Sequence, residues 1–261
     1  MRGFLESIKM KENKNNSPSG AGGMKAMIFA AGLGTRFKPW TNDHPKALAL
    51  VNGKSLLQKN VEYLQQFGIR EVIVNVHHFA NQIYAAIKKS NGWGSTLYIS
   101  DETEQLLDTG GGLLKVKKWL SNKESFITIN VDILTNLDLN KLIAFHQQHK
   151  PLISFAVTER KTSRYFLFDE NKRLCGWRNK KTGEEKIVLQ KPGLVEKAYS
   201  CVVVFEPTVF SLIPFTGNFS LVDVYLSLAK DHLILGYDHS NDKLVDVGKP
   251  ESIPIAESLF P

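Results

Sequence analysis

Glycines and cations suited to binding phosphate lie close together early in this chain. Residues 30–36 read AAGLGTR, and a Pro-Lys pair follows at 45–46. Gly32 and Gly34 lack Cβ atoms, so the backbone there can bring its N–H groups against phosphate oxygens. Arg36 can grip oxygens with two parallel hydrogen bonds, while Lys46 supplies a compact charge on a flexible stem. The spacing predicts a nucleoside triphosphate site, whose backbone-contributing residues are Ala30, Ala31, Gly32, Gly34 and Thr35.

The apolar run at 26–29 predicts a buried parallel strand directly before this segment. The glycines therefore fall where the chain leaves the sheet, which is where open α/β sheets bind ligands. A turn that needs glycine for purely steric reasons is the alternative, but it does not explain the two cations. The third glycine of the dinucleotide fingerprint and the Gly-Lys-Ser/Thr ending of a P-loop are both missing, which excludes those two sites.

Two aspartates are candidates for holding a divalent metal. Asp132 follows the apolar strand predicted at 125–130, which delivers its carboxylate to the same sheet edge as the glycine segment, and Asp246 lies in the apolar run 244–247. Mg²⁺ typically takes one or two protein carboxylates and fills its remaining positions with water and phosphate. A turn or cap role is the alternative for either aspartate alone. The pair predicts Mg²⁺ as the cofactor.

A run of three glycines, 110–112, stands at the start of a helix predicted over 110–120. Free N–H groups and the helix dipole favour an anion or a polar ring at such a position. Each glycine costs about 1 kcal/mol relative to alanine inside a helix. Close approach by a ligand therefore explains the run better than folding preference does. Just before it, Glu102 and Glu104 are both candidates for accepting a hydrogen bond from a base, with solvent-facing acids as the alternative for each.

These motifs resemble the signature of the sugar-1-phosphate nucleotidyltransferases, which runs Ala-Ala-Gly-x-Gly-Thr-Arg, then Pro, then Pro-Lys. Pro39 and Thr41 also match, and the resemblance spans Lys25 to about Ile253. It implies an enzyme of the EC 2.7.7 class, which transfers a nucleoside monophosphate from NTP to a sugar-1-phosphate and releases pyrophosphate. The most similar branches are the N-acetylmuramate-1-phosphate uridylyltransferases and the mannose-1-phosphate or heptose-1-phosphate guanylyltransferases. UTP or GTP is therefore the expected nucleotide.

The resemblance also implies a role for each matching residue. Arg36 would hold the leaving pyrophosphate and Lys46 would align the phosphates of both substrates, with Asp132 as the third catalytic residue. Asp132 and Asp246 would be the metal ligands, and Gly110 would join the nucleotide-binding residues. The implied sugar-binding residues are Asp108, Thr109, Ser200 and Asp223.

Three positions depart from the family pattern. Val131 replaces a glycine before the first metal acid, Gln190 replaces the glutamate before Lys191, and Cys201 replaces a glycine on a predicted strand. Whether Lys191 holds the sugar phosphate stays open. A nucleotide-sugar-dependent glycosyltransferase is one alternative function, although it typically uses Asp-x-Asp where this chain has Asn130 before Asp132. A non-catalytic nucleotide-sensing module is the other, favoured if the departures have disabled the chemistry.

Composition restricts the expected substrate class and location of the protein. The 261 residues are 43% hydrophobic and carry a formal charge of +7. They contain no Lys/Arg block interleaved with aromatic residues, so we expect small-molecule substrates and no nucleic acid. Two cysteines, Cys175 and Cys201, are too few for a disulfide framework. No apolar stretch approaches the 18 or so residues of a membrane helix. These features predict a cytoplasmic protein without a membrane partner, and they give no oligomeric state.

Alternating strand and helix patterns predict an α/β fold with a Rossmann-like, doubly wound, mostly parallel sheet and a strand-rich second half that faces the sugar. The polar residues 1–24 predict a disordered tail. This tail is explained best as an extension upstream of a start at Met24. Residues 25–261 are predicted to form the nucleotidyltransferase domain. The end at Pro261 predicts no appended left-handed β-helix domain. Predicted strands are 26–29, 71–76, 95–100, 125–130, 152–158, 165–168 and 199–205, and predicted helices surround residues 57–64 and 79–87 and span 110–120 and 139–148.

Overall fold

The computed structural model describes residues 23–121 and 124–261. The predicted disordered tail, 1–24, therefore lies outside the described residues except for Gly23 and Met24. The strands are β1 (Lys25–Phe29), β2 (Leu50–Val51), β3 (Lys54–Ser55), β4 (Glu71–Val76), β5 (Thr96–Asp101), β6 (Phe126–Asn130), β7 (Ile133–Thr135), β8 (Ile153–Thr158), β9 (Arg164–Phe168), β10 (Leu174–Asn179), β11 (Glu184–Ile187), β12 (Val195–Phe205), β13 (Ile234–Asp238) and β14 (Leu244–Asp246). The α-helices are α1 (Leu56–Gln66), α2 (Ala80–Lys89), α3 (Asp108–Lys115), α4 (Lys117–Leu120), α5 (Leu139–His149), α6 (Val209–Leu212), α7 (Leu221–Ala229) and α8 (Ile253–Leu259).

The chain divides into two compact units. The first contains the described residues up to Asp108 together with Thr128–Thr135 and Val245–Pro261. The second contains Thr109–Ile127 and Asn136–Leu244. Two segments distant in sequence thus return to the first unit and bring one predicted metal aspartate each.

The first unit contains the strands β1, β4 and β5 side by side in that order, and β6 lies next to β1. β1 pairs with β4 in parallel, and β4 pairs with β5 in parallel. The helices α1 and α2 follow β1 and β4 in sequence, as expected when parallel strands are joined by crossovers. Residues 26–29 of β1 are buried, which explains their continuous apolar character. The predicted α/β class and parallel sheet are confirmed here.

Helix α1 shows how local sequence fixes an element of this unit. Ser55 begins the helix, its hydroxyl accepting a hydrogen bond from the Gln58 N–H over 3.1 Å. Leu57, Val61 and Leu64 repeat at helical spacing and are fully buried. After the helix, Gly68 adopts a φ of +79°, the left-handed conformation expected there.

The second unit is strand-rich, as predicted. β11, β10, β9 and β12 lie side by side, and the three pairs they form are antiparallel. β12 also pairs with β8 antiparallel, and β8 pairs with β13 in parallel. Aromatic side chains of Phe155, Phe166 and Tyr225 are fully buried and stack around one another, with ring centroids 4.9–6.0 Å apart.

Two details of the sequence prediction need correction. The helix predicted over 110–120 begins earlier, at Asp108, and breaks into α3 and α4 at Val116. The strands β10, β11, β13 and β14 and the helix α7 were absent from the prediction. Among the described residues, no helix combines the length and apolar character needed to traverse a bilayer.

Candidate active site

The glycine segment leaves the sheet at the end of β1. The N–H of Ala30 donates to the side-chain oxygen of Asn75 on the neighbouring strand β4, over 2.7 Å. Ala31 is buried, whereas Gly32 is exposed and a Cβ built on it would meet no protein atom within 4 Å. The space beside Gly32 is therefore open to a ligand, while the N–H of Ala30 is already used within the protein.

Gly34 shapes the rest of this loop. Its φ is +61°, and a Cβ there would lie 2.8 Å from the Cγ2 atom of Thr41 and 3.3 Å from the Cβ of Lys46. The Thr41 hydroxyl donates to the Gly34 carbonyl over 2.8 Å. Only glycine combines this backbone conformation with so close an approach. Gly34 thus brings the stem of Lys46 against the glycine loop.

The ammonium of Lys46 forms an ion pair with the carboxylate of Asp132. Both side chains are largely removed from solvent, with exposed fractions of 13% and 14%. The residue before Asp132 is held from two sides: the Val131 N–H donates to the Phe29 carbonyl over 3.0 Å, and the Asn60 amide donates to the Val131 carbonyl over 2.9 Å. Val131 is itself buried, so its branched side chain packs inside the protein.

The second aspartate lies on the neighbouring strand. β14, which ends at Asp246, pairs with β7, and the Val247 N–H donates to the Asp132 carbonyl over 2.8 Å. A Cβ built on Gly248 would lie 2.7 Å from Asp246 Oδ1 and 3.0 Å from an Arg36 guanidinium nitrogen. The absence of a side chain at Gly248 therefore lets the guanidinium and the carboxylate share one small space.

The first unit thus gathers two cations and two carboxylates beside a glycine loop. Within residues 23–121 and 124–261, no group of three or more His, Cys, Asp or Glu side chains could hold a metal ion. Two carboxylates with hard oxygen donors still fit Mg²⁺, because that ion commonly takes its remaining ligands from water and substrate phosphates. The donor set present here therefore agrees with the predicted metal.

Two residues in this unit have roles that sequence reasoning did not identify correctly. Asn75 was missed, and its amide group links the loop to Glu102: it accepts from Ala30 and donates to a Glu102 carboxylate oxygen over 2.8 Å. The other Glu102 oxygen accepts from the Leu107 N–H over 3.2 Å. Glu102 is buried, with an exposed fraction of 1%, whereas Glu104 is exposed. Glu102 thus holds backbone in place.

In the second unit, the first glycine of the three-glycine run packs against protein. The N–H of Gly110 donates to the Phe219 carbonyl over 2.9 Å, and a Cβ at Gly110 would lie 2.8 Å from that carbonyl oxygen and closer still to the ring. The expectation that ligand approach explains the glycine is therefore wrong at Gly110. The Thr109 hydroxyl accepts from the Leu221 N–H over 3.0 Å, which fixes the start of α7 to the start of α3.

The strand β12 is irregular at its predicted sugar-binding residue. Its pairing with β8 shifts register between Tyr199 and Val203, and Cys201 adopts a φ of +57°. The glycine that the family resemblance places at Cys201 suits this left-handed conformation. Ser200 is fully buried and its hydroxyl lies 2.8 Å from His239 Nε2. Burial is the main cause that lowers the pKa of His239, which sequence reasoning also missed.

The remaining predicted residues lie at the surface of their units. Asp108 is exposed with a φ of +58°, and Asp223, in the first turn of α7, lies 3.9 Å from the ammonium of Lys186. Lys191 is exposed, and whether it holds the sugar phosphate stays open.

His77 and His78, which follow β4, contact different groups. A ring nitrogen of His77 lies 2.6 Å from the Glu102 carbonyl oxygen, and the His78 ring lies 4.0 Å from that of Phe79.

Curated proteins with similar sequences are nucleotidyltransferases for several sugars. The chain is 40% identical over 109 residues to the N-acetylmuramate alpha-1-phosphate uridylyltransferase of Caulobacter vibrioides, which covers 41% of this chain and 45% of that protein. It is 28% identical over 251 residues to the mannose-1-phosphate guanylyltransferase catalytic subunit beta of Drosophila melanogaster, which covers 94% and 64%. The chain spans less than two thirds of the length of these relatives.

Solved structures show the same fold. HddC from Yersinia pseudotuberculosis, complexed with GMP-PN, superposes with a TM-score of 0.71 at 21% identity and covers 91% of this chain and 100% of its own. The nucleotidyl transferase family model matches residues 25–173. Because this match includes the glycine loop, both cations and Asp132, and spans more than half of the sequence, the chain belongs to the nucleotidyl transferase family.

Proposed function

We propose that this chain transfers a nucleoside monophosphate from NTP to a sugar-1-phosphate and releases pyrophosphate. The observation that carries the proposal is the convergence in the first unit of the Lys46–Asp132 ion pair with the Arg36 and Asp246 groups around Gly248. Charge of both signs beside an open glycine loop suits a polyphosphate and its counter-ion. The family match and the relatives, which act on nucleotides and sugar phosphates, support the same reaction.

The glycine loop binds the nucleotide in this proposal. Gly32 leaves open space for a phosphate or ribose, and the preceding residue, Ala31, is buried. The N–H of Ala30 already donates to Asn75, so the phosphate donors are the N–H groups further along the loop, including those of Gly34 and Thr35.

The two cations act on phosphate charge. Arg36 is exposed and holds the leaving pyrophosphate through its planar fork. Lys46 is positioned by Asp132 and aligns the phosphates of both substrates. The incoming sugar phosphate is already anionic near neutral pH, so the reaction needs no general base. In-line positioning and charge neutralisation supply the catalysis.

Asp132 and Asp246 would hold Mg²⁺, which when bound would stabilise the charge that develops on the α-phosphate. Asp132 directly precedes β7, Asp246 ends the paired strand β14, and the hydrogen bond of 2.8 Å from the Val247 N–H to the Asp132 carbonyl connects the two segments. A chelator should abolish turnover and added Mg²⁺ should restore it. Turnover that survives exhaustive chelation would contradict a metal role for this pair.

The sugar is assigned to residues of the second unit. Ser200 contributes through its backbone, because its side chain is fully buried and bound to His239. Thr109 acts in the same indirect way, since its hydroxyl caps α7. The half-exposed carboxylate of Asp223, which lies 3.9 Å from the Lys186 ammonium, would meet sugar hydroxyls directly. N-acetylmuramate-1-phosphate with UTP is the favoured pair and mannose-1-phosphate with GTP the second, by similarity to the relatives.

Pyrophosphate release measured over a panel of NTPs crossed with sugar-1-phosphates tests this function. We expect kcat/KM to be highest with UTP or GTP and an amino-sugar or mannose-like phosphate. A missing group in a permissive pocket changes discrimination by only about 1–3 kcal/mol, so smaller sugars should retain measurable turnover. Glycosyl transfer from a nucleotide sugar, or nucleotide binding without any turnover, would contradict the proposal. The cytoplasmic location stays a prediction.

A further inference from the structure

A half-buried arginine of the second unit lies against β12 without an acidic partner. Arg160 follows β8, and its Nη2 donates to the Tyr199 carbonyl over 2.9 Å. Its Nε is buried and has no hydrogen-bond partner among the described residues. The neighbouring Lys161 and Arg164 are exposed, and none of these three cations forms an ion pair within the described part of the chain. The Arg160 guanidinium therefore has a backbone carbonyl as its hydrogen-bond partner, whereas the nearby carboxylates of Glu159 and Asp238 pair with Lys197.

The backbone that Arg160 contacts is the irregular part of β12. Tyr199 begins the register shift, its carbonyl belongs to the peptide bond with Ser200, and Cys201 has left-handed dihedrals. The Tyr199 hydroxyl lies 3.0 Å from that of Tyr225, and Ser200 is bound by His239. Side-chain hydrogen bonds thus hold this segment in an unusual conformation, which is typical of backbone that serves a site.

A second arginine of the same unit, Arg173, has a structural role and serves as a comparison for Arg160. Arg173 is also half-buried with a buried Nε, but its Nη2 donates to the carbonyls of Ala229 and Lys230, each over 3.2 Å. Those carbonyls end α7, where the helix dipole stabilises a cation. The charge of Arg173 is therefore stabilised by the end of a helix. Within the described residues, the guanidinium of Arg160 donates to one carbonyl only, that of Tyr199.

We propose that Arg160 binds an oxyanion of the sugar substrate, either its 1-phosphate or a carboxylate substituent on the ring. This inference rests on the proposed function, which assigns the backbone around Ser200 to the sugar. One nitrogen of the guanidinium is fixed by the Tyr199 carbonyl, so the group is already oriented and loses little freedom when an anion binds. A partly desolvated cation also gains more from an anionic partner than an exposed lysine does.

The test compares Arg160→Met with Arg173→Met as the matched control. Initial rates of pyrophosphate release are measured with N-acetylmuramate-1-phosphate, which has a lactyl carboxylate, and with N-acetylglucosamine-1-phosphate, which lacks it. Loss of a charge-assisted hydrogen bond should raise the KM for sugar phosphate roughly 10- to 100-fold in Arg160→Met. The KM for NTP should stay within about twofold of wild type, since the nucleotide belongs to the other unit in the proposed function. Arg173→Met should change neither.

The sugar pair distinguishes the two sources of the oxyanion. An equal loss for both sugars identifies the 1-phosphate, and a loss confined to N-acetylmuramate-1-phosphate identifies the carboxylate. Unchanged KM for both sugars, or a parallel rise in the KM for NTP, would overturn the inference. Arg160→Gln keeps a donor for the Tyr199 carbonyl without the charge, so it reports on charge alone if the methionine variant fails to fold. If wild type shows no turnover, the proposed function fails, and calorimetric binding of the two sugar phosphates to wild type and Arg160→Gln still decides whether Arg160 binds them.

Discussion

Gly32 lies in the loop after β1 of the first unit, Gly110 lies in the first turn of α3 in the second unit, and the space beside them differs. No protein atom lies within 4 Å of a Cβ built on Gly32, whereas at Gly110 the same position falls 2.8 Å from the Phe219 carbonyl oxygen. The first glycine faces open space. The second is filled by the protein itself, and its N–H already donates to Phe219.

The comparison teaches that a glycine predicts close approach by another group, but it does not predict whether that group is a ligand or another part of the protein. Nearby charged side chains distinguish the two positions. Arg36 and Lys46 accompany the loop that contains Gly32, together with two carboxylates on adjacent strands. Polar groups beside Gly110 are used internally, as when the Thr109 hydroxyl accepts from Leu221. We therefore assign phosphate and metal chemistry to the first unit.

Removing either cation should have the largest effect. Arg36→Ala and Lys46→Ala should each lower kcat about 100- to 1,000-fold, because both side chains neutralise charge that develops on phosphate. Circular dichroism should stay unchanged. Lys54→Ala is the control, since that exposed lysine pairs with Glu62 away from the loop, and it should keep wild-type rates. A wild-type kcat in either loop variant would remove that residue from the mechanism.

The paired carboxylates give the next largest effect. Asp132→Asn and Asp246→Asn should each raise the Mg²⁺ concentration for half-maximal activity at least about tenfold, because a neutral amide is a weaker ligand for a hard cation. Asp43→Asn, an exposed aspartate of the same unit, should leave the titration unchanged. If Asp246→Asn titrates like wild type, its carboxylate serves structure only and the first unit holds one metal acid.

Alanine at the two compared glycines tests the comparison directly. Gly110→Ala should lower the free energy of unfolding by about 1–3 kcal/mol, because its methyl group would overlap Phe219. Gly32→Ala should change stability by no more than about 0.5 kcal/mol yet weaken NTP binding, because only a ligand occupies that space. Thermal unfolding and nucleotide titration of both variants measure this. If Gly32→Ala and Gly110→Ala lower the free energy of unfolding equally, glycine at position 32 is required by the fold and not by a ligand.

Local signals predicted most of what lies close together in sequence. The apolar run before Gly32 predicted β1, and the apolar residues at helical spacing over 57–64 predicted α1. Asp138 directly precedes α5, and its carboxylate accepts from the Asn140 N–H, as is typical of a residue that begins a helix. Arg36, Lys46, Asp132 and Asp246 were proposed from the sequence because their types limit the chemistry they can do, and all four lie in the first unit.

What the sequence could not show depends on strand register. Asn75 lies opposite Phe29 in the pairing of β1 with β4, and only that register brings its amide to Ala30. An asparagine inside a strand carries no local sign of this role. The strand β11 was missed because its residues are mostly charged and exposed, so it lacks an apolar pattern. Phe219 is far from Gly110 in sequence, so the sequence could not show that Phe219 packs against this position and requires glycine there.

The smallest effect concerns a buried histidine of the second unit and the pH dependence of stability. His146 has an exposed fraction of 1%, and its ring nitrogens lie 2.9 Å from the Ser154 hydroxyl and 2.9 Å from a Glu206 carboxylate oxygen. Burial, the main cause, lowers the pKa of His146, although Glu206 opposes this. Between that folded pKa and an unfolded value of about 6.5, the unfolded chain binds more protons, so the free energy of unfolding should fall as pH drops below about 6.5.

The slope that one such histidine contributes is at most about 1.4 kcal/mol per pH unit. Urea unfolding between pH 7.5 and 5.5 should therefore show a shallower decline in His146→Gln than in wild type. A residual slope should remain, because burial also lowers the pKa of His239. His149→Gln, at the exposed end of the same helix, controls for the loss of an imidazole. If His146→Gln keeps the full wild-type slope, His146 does not titrate differently in the two states, and the second unit owes its acid sensitivity to other groups.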